Sequence, residues 1–176
     1  MFENVKKKIG RYLLNKRYCK TDCSVINYNN ALLKSSDIFV IMPRNDQDFY
    51  HSLDLIKFLL NQGKRITLFL PEFKYNLIPE KDKYRFVSYQ PQQATRFFLP
   101  DKTLESMLKV KEFDAVIDLN RSEDLFYSAA ANIVKSKIRI GFSRQFSENC
   151  YNLQYRDWNN QLDTNYNGFL SFLKMF

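Results

Sequence analysis

Residues 113–142 read FDAVIDLNRSEDLFYSAAANIVKSKIRIGF, a complete strand, helix, strand unit with connections of ordinary length. The apolar run Ala115, Val116, Ile117 closes on Asp118. Ser122, Glu123 and Asp124 then supply a helix start, a capping residue type with acids in the first turn. Leu125, Phe126, Ala129, Ala130, Ile133 and Val134 recur at the three-and-four spacing of a helix laid on a sheet. The β-branched segment from Ile138 to Phe142 is too short for a helix and reads as a second strand. The unit is βαβ.

The same alternation extends outward. Residues 37–42 (DIFVIM) are a near-continuous apolar run of the kind buried on both faces of a parallel sheet, and it stops at Pro43. A helix is expected from Asp46 or Gln47 to Gln62, with Phe49, Leu53, Ile56, Leu59 and Leu60 on one side and Gly63 as its C-terminal stop. Strands are expected at 65–70 and 85–89, a short helical piece within 71–84, and a helix over 101–111. Residues 149–156 suit an edge strand, 157–165 a polar turn, and 168–176 a short apolar helix. The pattern predicts an α/β fold: one Rossmann-like three-layer domain over residues 36–176, with a mostly parallel sheet of about five or six strands. A basic amphipathic arm, residues 1–20, precedes it.

A chain of 176 residues, 45% apolar, buries a core without disulfides or metals. Its abundant Lys, Asn, Tyr and Phe match an AT-rich coding bias. Cys19, Cys23 and Cys150 make an odd set with no histidine near the CKTDC spacing, which argues against zinc and against a disulfide framework and predicts a reducing compartment. No signal-peptide pattern and no bilayer-spanning run is read, so the expected location is the cytoplasm, with the arm peripheral on the inner face of the membrane. Gly10, Gly63, Gly141 and Gly168 are isolated from one another, which excludes a P-loop and a dinucleotide fingerprint. No cofactor and no metal is expected.

Charge is concentrated in the arm. Lys6, Lys7, Lys8, Arg11, Lys16, Arg17 and Lys20 stand there against Glu3 alone, which is +6 of the chain's net +8. On a helical wheel Phe2, Val5, Ile9, Tyr12 and Leu13 share one side, with Lys7, Lys8 and Arg11 opposite. Lys16 and Lys20 would interrupt the apolar side, so the helix is expected to end near Leu14. Such a helix lies on an anionic membrane, grips RNA phosphates, or docks its apolar stripe on its own domain with the lysines solvated. No RNA-binding signature is present, so RNA would be read by charge alone, and sequence-specific DNA binding is not expected.

Ligands of parallel sheets bind at the carboxyl ends of the strands. Arg44, Asn45, His51, Asn120, Arg121 and Arg144 fall there and are the candidate ligand-binding residues, the arginines as an anion site. Asp48 is either a first-turn acid stabilised by the helix dipole or a general base.

FDAVIDLN, a helix carrying SAA, and KIRIGFSR resemble the amino-terminal domain of the ADP-heptose lipopolysaccharide heptosyltransferases, glycosyltransferase family nine, of GT-B fold. Upstream, DIFVIMPRNDQDFYHSL is similar to that family's first strand, small turn and helix. The resemblance covers roughly residues 37–144. It places Asp48 on the catalytic aspartate, the base that acts on an acceptor hydroxyl, and His51 on a histidine three places later. Gln47 replaces a glycine, Arg44-Asn45 a serine turn, and Asn120-Arg121 a Gln-Gly pair, filling the acceptor's space. The family's donor-binding second domain has no counterpart here, whereas its last helix, which returns to the first domain, matches GFLSFLKMF. The layout also resembles short bacterial single-domain proteins with a basic arm. The resemblance implies a non-catalytic domain acting as an adaptor or accessory subunit, its arm on an anionic partner, with another protein subunit as a further partner. The alternatives are half of a split glycosyltransferase paired with a separate donor-binding chain, and a small anionic-ligand-binding domain.

Overall fold

Six strands alternate with helices along the chain and collect into one sheet. The computed structural model describes residues 2–19, 28, 30–156 and 162–176, the side chains of 162–164 excepted. The basic helix α1 (Phe2–Arg17) precedes a single turn α2 (Ala31–Lys34). Then come β1 (Asp37–Ile41), α3 (Asp46–Asn61), β2 (Arg65–Pro71), β3 (Arg85–Tyr89), α4 (Lys102–Leu108) and β4 (Ala115–Asp118). The chain continues with α5 (Leu125–Ile133), β5 (Ile138–Phe142), β6 (Leu153–Tyr155) and α6 (Leu162–Leu173). The strand order is β3-β2-β1-β4-β5-β6. Every neighbouring pair is parallel, Ile38 standing opposite Ile66 on one side and Ala115 on the other. This is an α/β domain of Rossmann-like, three-layer plan with helices flanking a single parallel sheet.

The apolar runs are strands because both of their faces are covered. In β1, Phe39 and Ile41 enter one core with Phe69, Val116, Phe126 and Tyr127. Ile38 and Val40 enter the other, with Leu55, Ile56, Leu59 and Phe169. α4 and α5 pack on the first face, and α3 and α6 lie against one another on the second. Within the first core the Tyr89 and Tyr127 hydroxyls are 2.6 Å apart, and burial pushes the Tyr89 phenol up to about 12. α3 begins on Asn45, whose Oδ1 accepts from the Asp48 amide at 3.1 Å. It ends before Gly63, which takes φ of 72°, the left-handed value that favours glycine after a helix.

Three expected boundaries move, each for a packing reason. α1 runs past Leu14 to Arg17, because it docks through Gly10 and Leu14 and so keeps Lys16 on its outer side. α6 starts at Leu162, not near 168. Buried Tyr166 donates its hydroxyl to the Leu119 carbonyl at 2.8 Å, so a turn ahead of Gly168 already rests on the sheet. Of the turn expected at 157–165, residues 157–161 lie outside the described residues. α4 stops at Leu108; Lys111, expected within it, instead donates to Asp37 at 2.8 Å. The ambiguous stretch 71–84 holds two 3-10 turns, Glu72–Leu77 and Lys81–Lys83.

Cys19 and Cys150 are buried free thiols with sulfurs 2.9 Å apart, joining the end of α1 to the segment before β6. The hydrogen bond with Cys150 and burial hold the Cys19 thiol far above its ordinary value. Cys23 lies outside the described residues.

Candidate functional site

The sheet's order turns between β1 and β4, since β2 and β3 lie beyond one and β5 and β6 beyond the other. The crevice past the carboxyl ends of those two strands is where open α/β sheets receive ligands. Residues 43–48 from one side and 118–121 from the other meet there, and the candidate residues come together as expected. What they do is bind one another.

Asn120 is buried and stitches the crevice shut. Its Nδ2 donates to Asp118 Oδ1 at 2.7 Å and to the Met42 carbonyl at 3.4 Å, and its Oδ1 accepts from the Arg44 amide at 3.2 Å. Arg121 reaches across with Nε 2.8 Å from Asp48 Oδ1. Asp48 is only 6% exposed. Its environment is therefore a first helical turn plus a guanidinium, which stabilises the carboxylate twice over. A general base must offer an oxygen to the proton it takes, and here the neighbouring cation and the burial stand in the way. Asn45 is spent on capping α3. His51, half-buried one turn further on, lies parallel to the Tyr166 ring with centroids 6.2 Å apart.

Asp118 is wholly buried at the end of β4. Its Oδ2 accepts from Arg144 Nη2 at 2.9 Å and from the Tyr151 hydroxyl. The Arg144 side chain is 3% exposed, also donates to the Ser122 carbonyl, and lies over the Tyr151 ring. Burial alone would lower its pKa; Tyr151 and Asp118 outweigh that and hold it above its usual value. Of the three arginines expected to gather an anion, two are thus consumed by internal carboxylates. Arg44 keeps an exposed guanidinium, and its backbone carbonyl accepts from buried Lys74 at 2.6 Å. Lys74 Nζ is also 2.9 Å from Asp46 and lies over the Phe49 ring.

Lys74, Tyr151 and Tyr166 were not legible as parts of this site. Lys74 falls in a segment with no periodic pattern, and the two tyrosines lie far along the chain from the strands they close. Only the folded sheet brings them to the crevice.

The arm adds a second rim. α1 lies against α5, and Gly10 is what lets it approach, because a Cβ there would stand 2.2 Å from the Phe97 carbonyl oxygen. Arg11 donates to Glu123 at 2.8 Å and stacks on the Phe146 ring, while Lys7 pairs with Glu3 at 3.3 Å. Lys7, Arg11, Arg44, Glu123 and Asp124 border a cleft of about 370 Å³ of mixed charge. Burial raises the Asp124 carboxyl above its ordinary range, although it caps α5 by accepting from the Phe126 amide at 2.8 Å. Lys6, Lys8 and Lys16 face away and are exposed, whereas Arg17, also exposed, borders a cleft with Tyr18 and Glu105. Lys20 lies outside the described residues. Of the three readings of the arm, docking of the apolar stripe on the domain is not what is seen: Phe2 is exposed by 85%, Val5 by 52%, Ile9 by 40% and Tyr12 by 61%.

Compared with family models, with curated proteins and with solved structures, the chain finds no match. No described helix is long and apolar enough to cross a membrane, and the described residues hold no cluster of metal-ligating side chains.

Proposed function

We propose that this chain is a non-catalytic descendant of a heptosyltransferase-like domain, working as an adaptor: the α/β body is a rigid platform, and α1 presents lysines to an anionic partner, a membrane surface or ribosomal RNA. The observation that carries the reading is the closure of the crevice. Asp48, the residue that the resemblance places as the base, is ion-paired to Arg121, and Asp118 to Arg144, so both carboxylates are already engaged within the protein. On the resemblance, Asn120 and Arg121 stand where the family carries a Gln-Gly pair. Apart from Arg44, the cations near the crevice are engaged, and the exposed lysines of α1 are the densest charge left to a partner.

Two assays on the full chain test this. Retention on an immobilised polyanion should be salt-dependent and should fall when Lys6, Lys8 and Lys16 are changed together to Gln. ADP-sugars should give neither a thermal shift nor glycosyl transfer. Transfer that depends on a second, donor-binding chain and is lost in Asp48→Asn would overturn the adaptor in favour of a split enzyme. A thermal shift with sugar phosphates, abolished by Arg44→Ala, would overturn it in favour of a small-anion receptor.

A further inference from the structure

The outer side of α1 carries large apolar side chains that nothing in the domain covers. At 100° per residue, Tyr12, Val5, Lys16, Ile9 and Phe2 fall within about 80° of one another, on the side opposite Gly10 and Leu14, which dock. Lys8 borders this stripe on one edge and Lys6 on the other. Glu3, the arm's acid, turns toward the body and pairs with Lys7. The helix therefore shows the solvent an aromatic and aliphatic ridge between rows of lysine, with no carboxylate on that face. It is held in that orientation by Leu14, 2% exposed, and by Arg11 on Glu123.

We infer that this face is a lipid-docking surface, which α1 lays into the headgroup layer of an anionic bilayer with Phe2, Val5, Ile9 and Tyr12 inward. The inference rests on the adaptor reading and names its partner. A polyphosphate chain rewards the lysines but gains nothing from Val5 and Ile9, whereas the interface of an anionic bilayer rewards both. Lysines at the edges of the stripe suit this geometry, because their aliphatic stems lie along the apolar layer while the ammonium groups reach the phosphates. Arg11 is then structural: on Glu123 and the Phe146 ring it holds the helix to its domain so that the ridge points outward. The body hangs below the membrane plane, its closed crevice playing no part in attachment.

The test is flotation of the full chain with vesicles of phosphatidylcholine alone and of phosphatidylcholine with phosphatidylglycerol, alongside retention on polyuridylate. Binding should require phosphatidylglycerol and weaken with salt. Ile9→Asp, on an exposed position, should keep the melting temperature and lower vesicle binding by about 10-fold or more while leaving polyuridylate retention almost unchanged. Reversing Lys6, Lys8 and Lys16 to Glu should lower binding by about 100-fold or more. Equal flotation of Ile9→Asp and the parent chain would overturn insertion of the ridge. Retention on polyuridylate without flotation would overturn the lipid partner and leave the adaptor standing; loss of both would overturn both.

Discussion

Two acids near the carboxyl ends of the strands, Asp118 and Asp124, have different neighbours. Asp118 has a full complement, with Arg144, Tyr151 and Asn120 around it. Removing one partner of such a pair leaves an uncompensated charge in the core, at a cost of about 3–5 kcal/mol. Arg144→Ala should accordingly lose that much in urea unfolding, and a loss below about 1 kcal/mol would mean that water reaches Asp118. Asp124 has the Phe126 amide and, at longer range, Arg44 to offset its burial, and burial outweighs both and lifts its pKa. A carboxyl raised in the folded state binds its proton more tightly there than in the unfolded chain, so stability declines as pH rises from the unfolded value through the folded one. Asp124→Asn keeps a good cap for α5 and removes the buried charge. The variant should melt higher than the parent at pH 7, and the difference should vanish below the ordinary carboxylate range; a lower melting temperature at pH 7 would show that the charge itself is needed at the α5 terminus.

At the scale of elements, α1 shows how a pattern misleads when a close approach overrides it. Its wheel separates apolar from basic residues cleanly, and docking of the stripe on the domain is one of the readings that this allows. Docking instead follows the side that carries Gly10, where the backbone passes within touching distance of Phe97. Gly10→Ala sets two effects against each other. Helix propensity gains about 1 kcal/mol, but the new methyl meets a backbone oxygen that cannot step aside, so α1 lifts and Leu14 loses burial of about 1.5–3 kcal/mol together with the Arg11–Glu123 contact. The second effect should win: the melting temperature falls and trypsin cuts at Arg11 and Arg17 in the otherwise folded protein. Undiminished protection of those sites would show that the loop at Phe97 yields instead. Strands and the long helix were legible because β1 to β5 are short runs, the first four closed by Pro43, Pro71, Pro91 or Asp118, and α3 carries a cap and a stop. The site was legible only as a location. Which charges would neutralise which depended on Lys74, Tyr151 and Tyr166, whose hydrogen bonds and ion pairs to Asp46, Asp118 and Leu119 span 28 to 47 positions, and no local spacing encodes such pairings.

For the molecule as a whole, the sheet is a bilayer of cores sharing one set of strands, and α6 closes the second of them. Phe169 stacks on Phe142 with ring centroids 4.5 Å apart, Tyr166 donates to the Leu119 carbonyl, and the Phe176 carbonyl accepts from the amides of Leu32 and Leu33 at 3.0 and 3.1 Å. The helix thus ties the β4 end, the β5 face and α2 into one cooperative unit. Tyr166, Phe169 and Leu173 are each at most 3% exposed. At about 1.5–3 kcal/mol per buried side chain, their loss approaches the whole stability of an ordinary domain, about 5–15 kcal/mol. A chain ending at residue 161 should therefore lose its cooperative melt and bind a hydrophobic dye, while keeping helical signal in the far ultraviolet. The first core, with α4, α5 and α1, has no contact that would make up the deficit, because both cores hang on the same β1 and β4. A sharp transition within about 5 °C of the full chain would mean that the two faces of the sheet are stabilised independently.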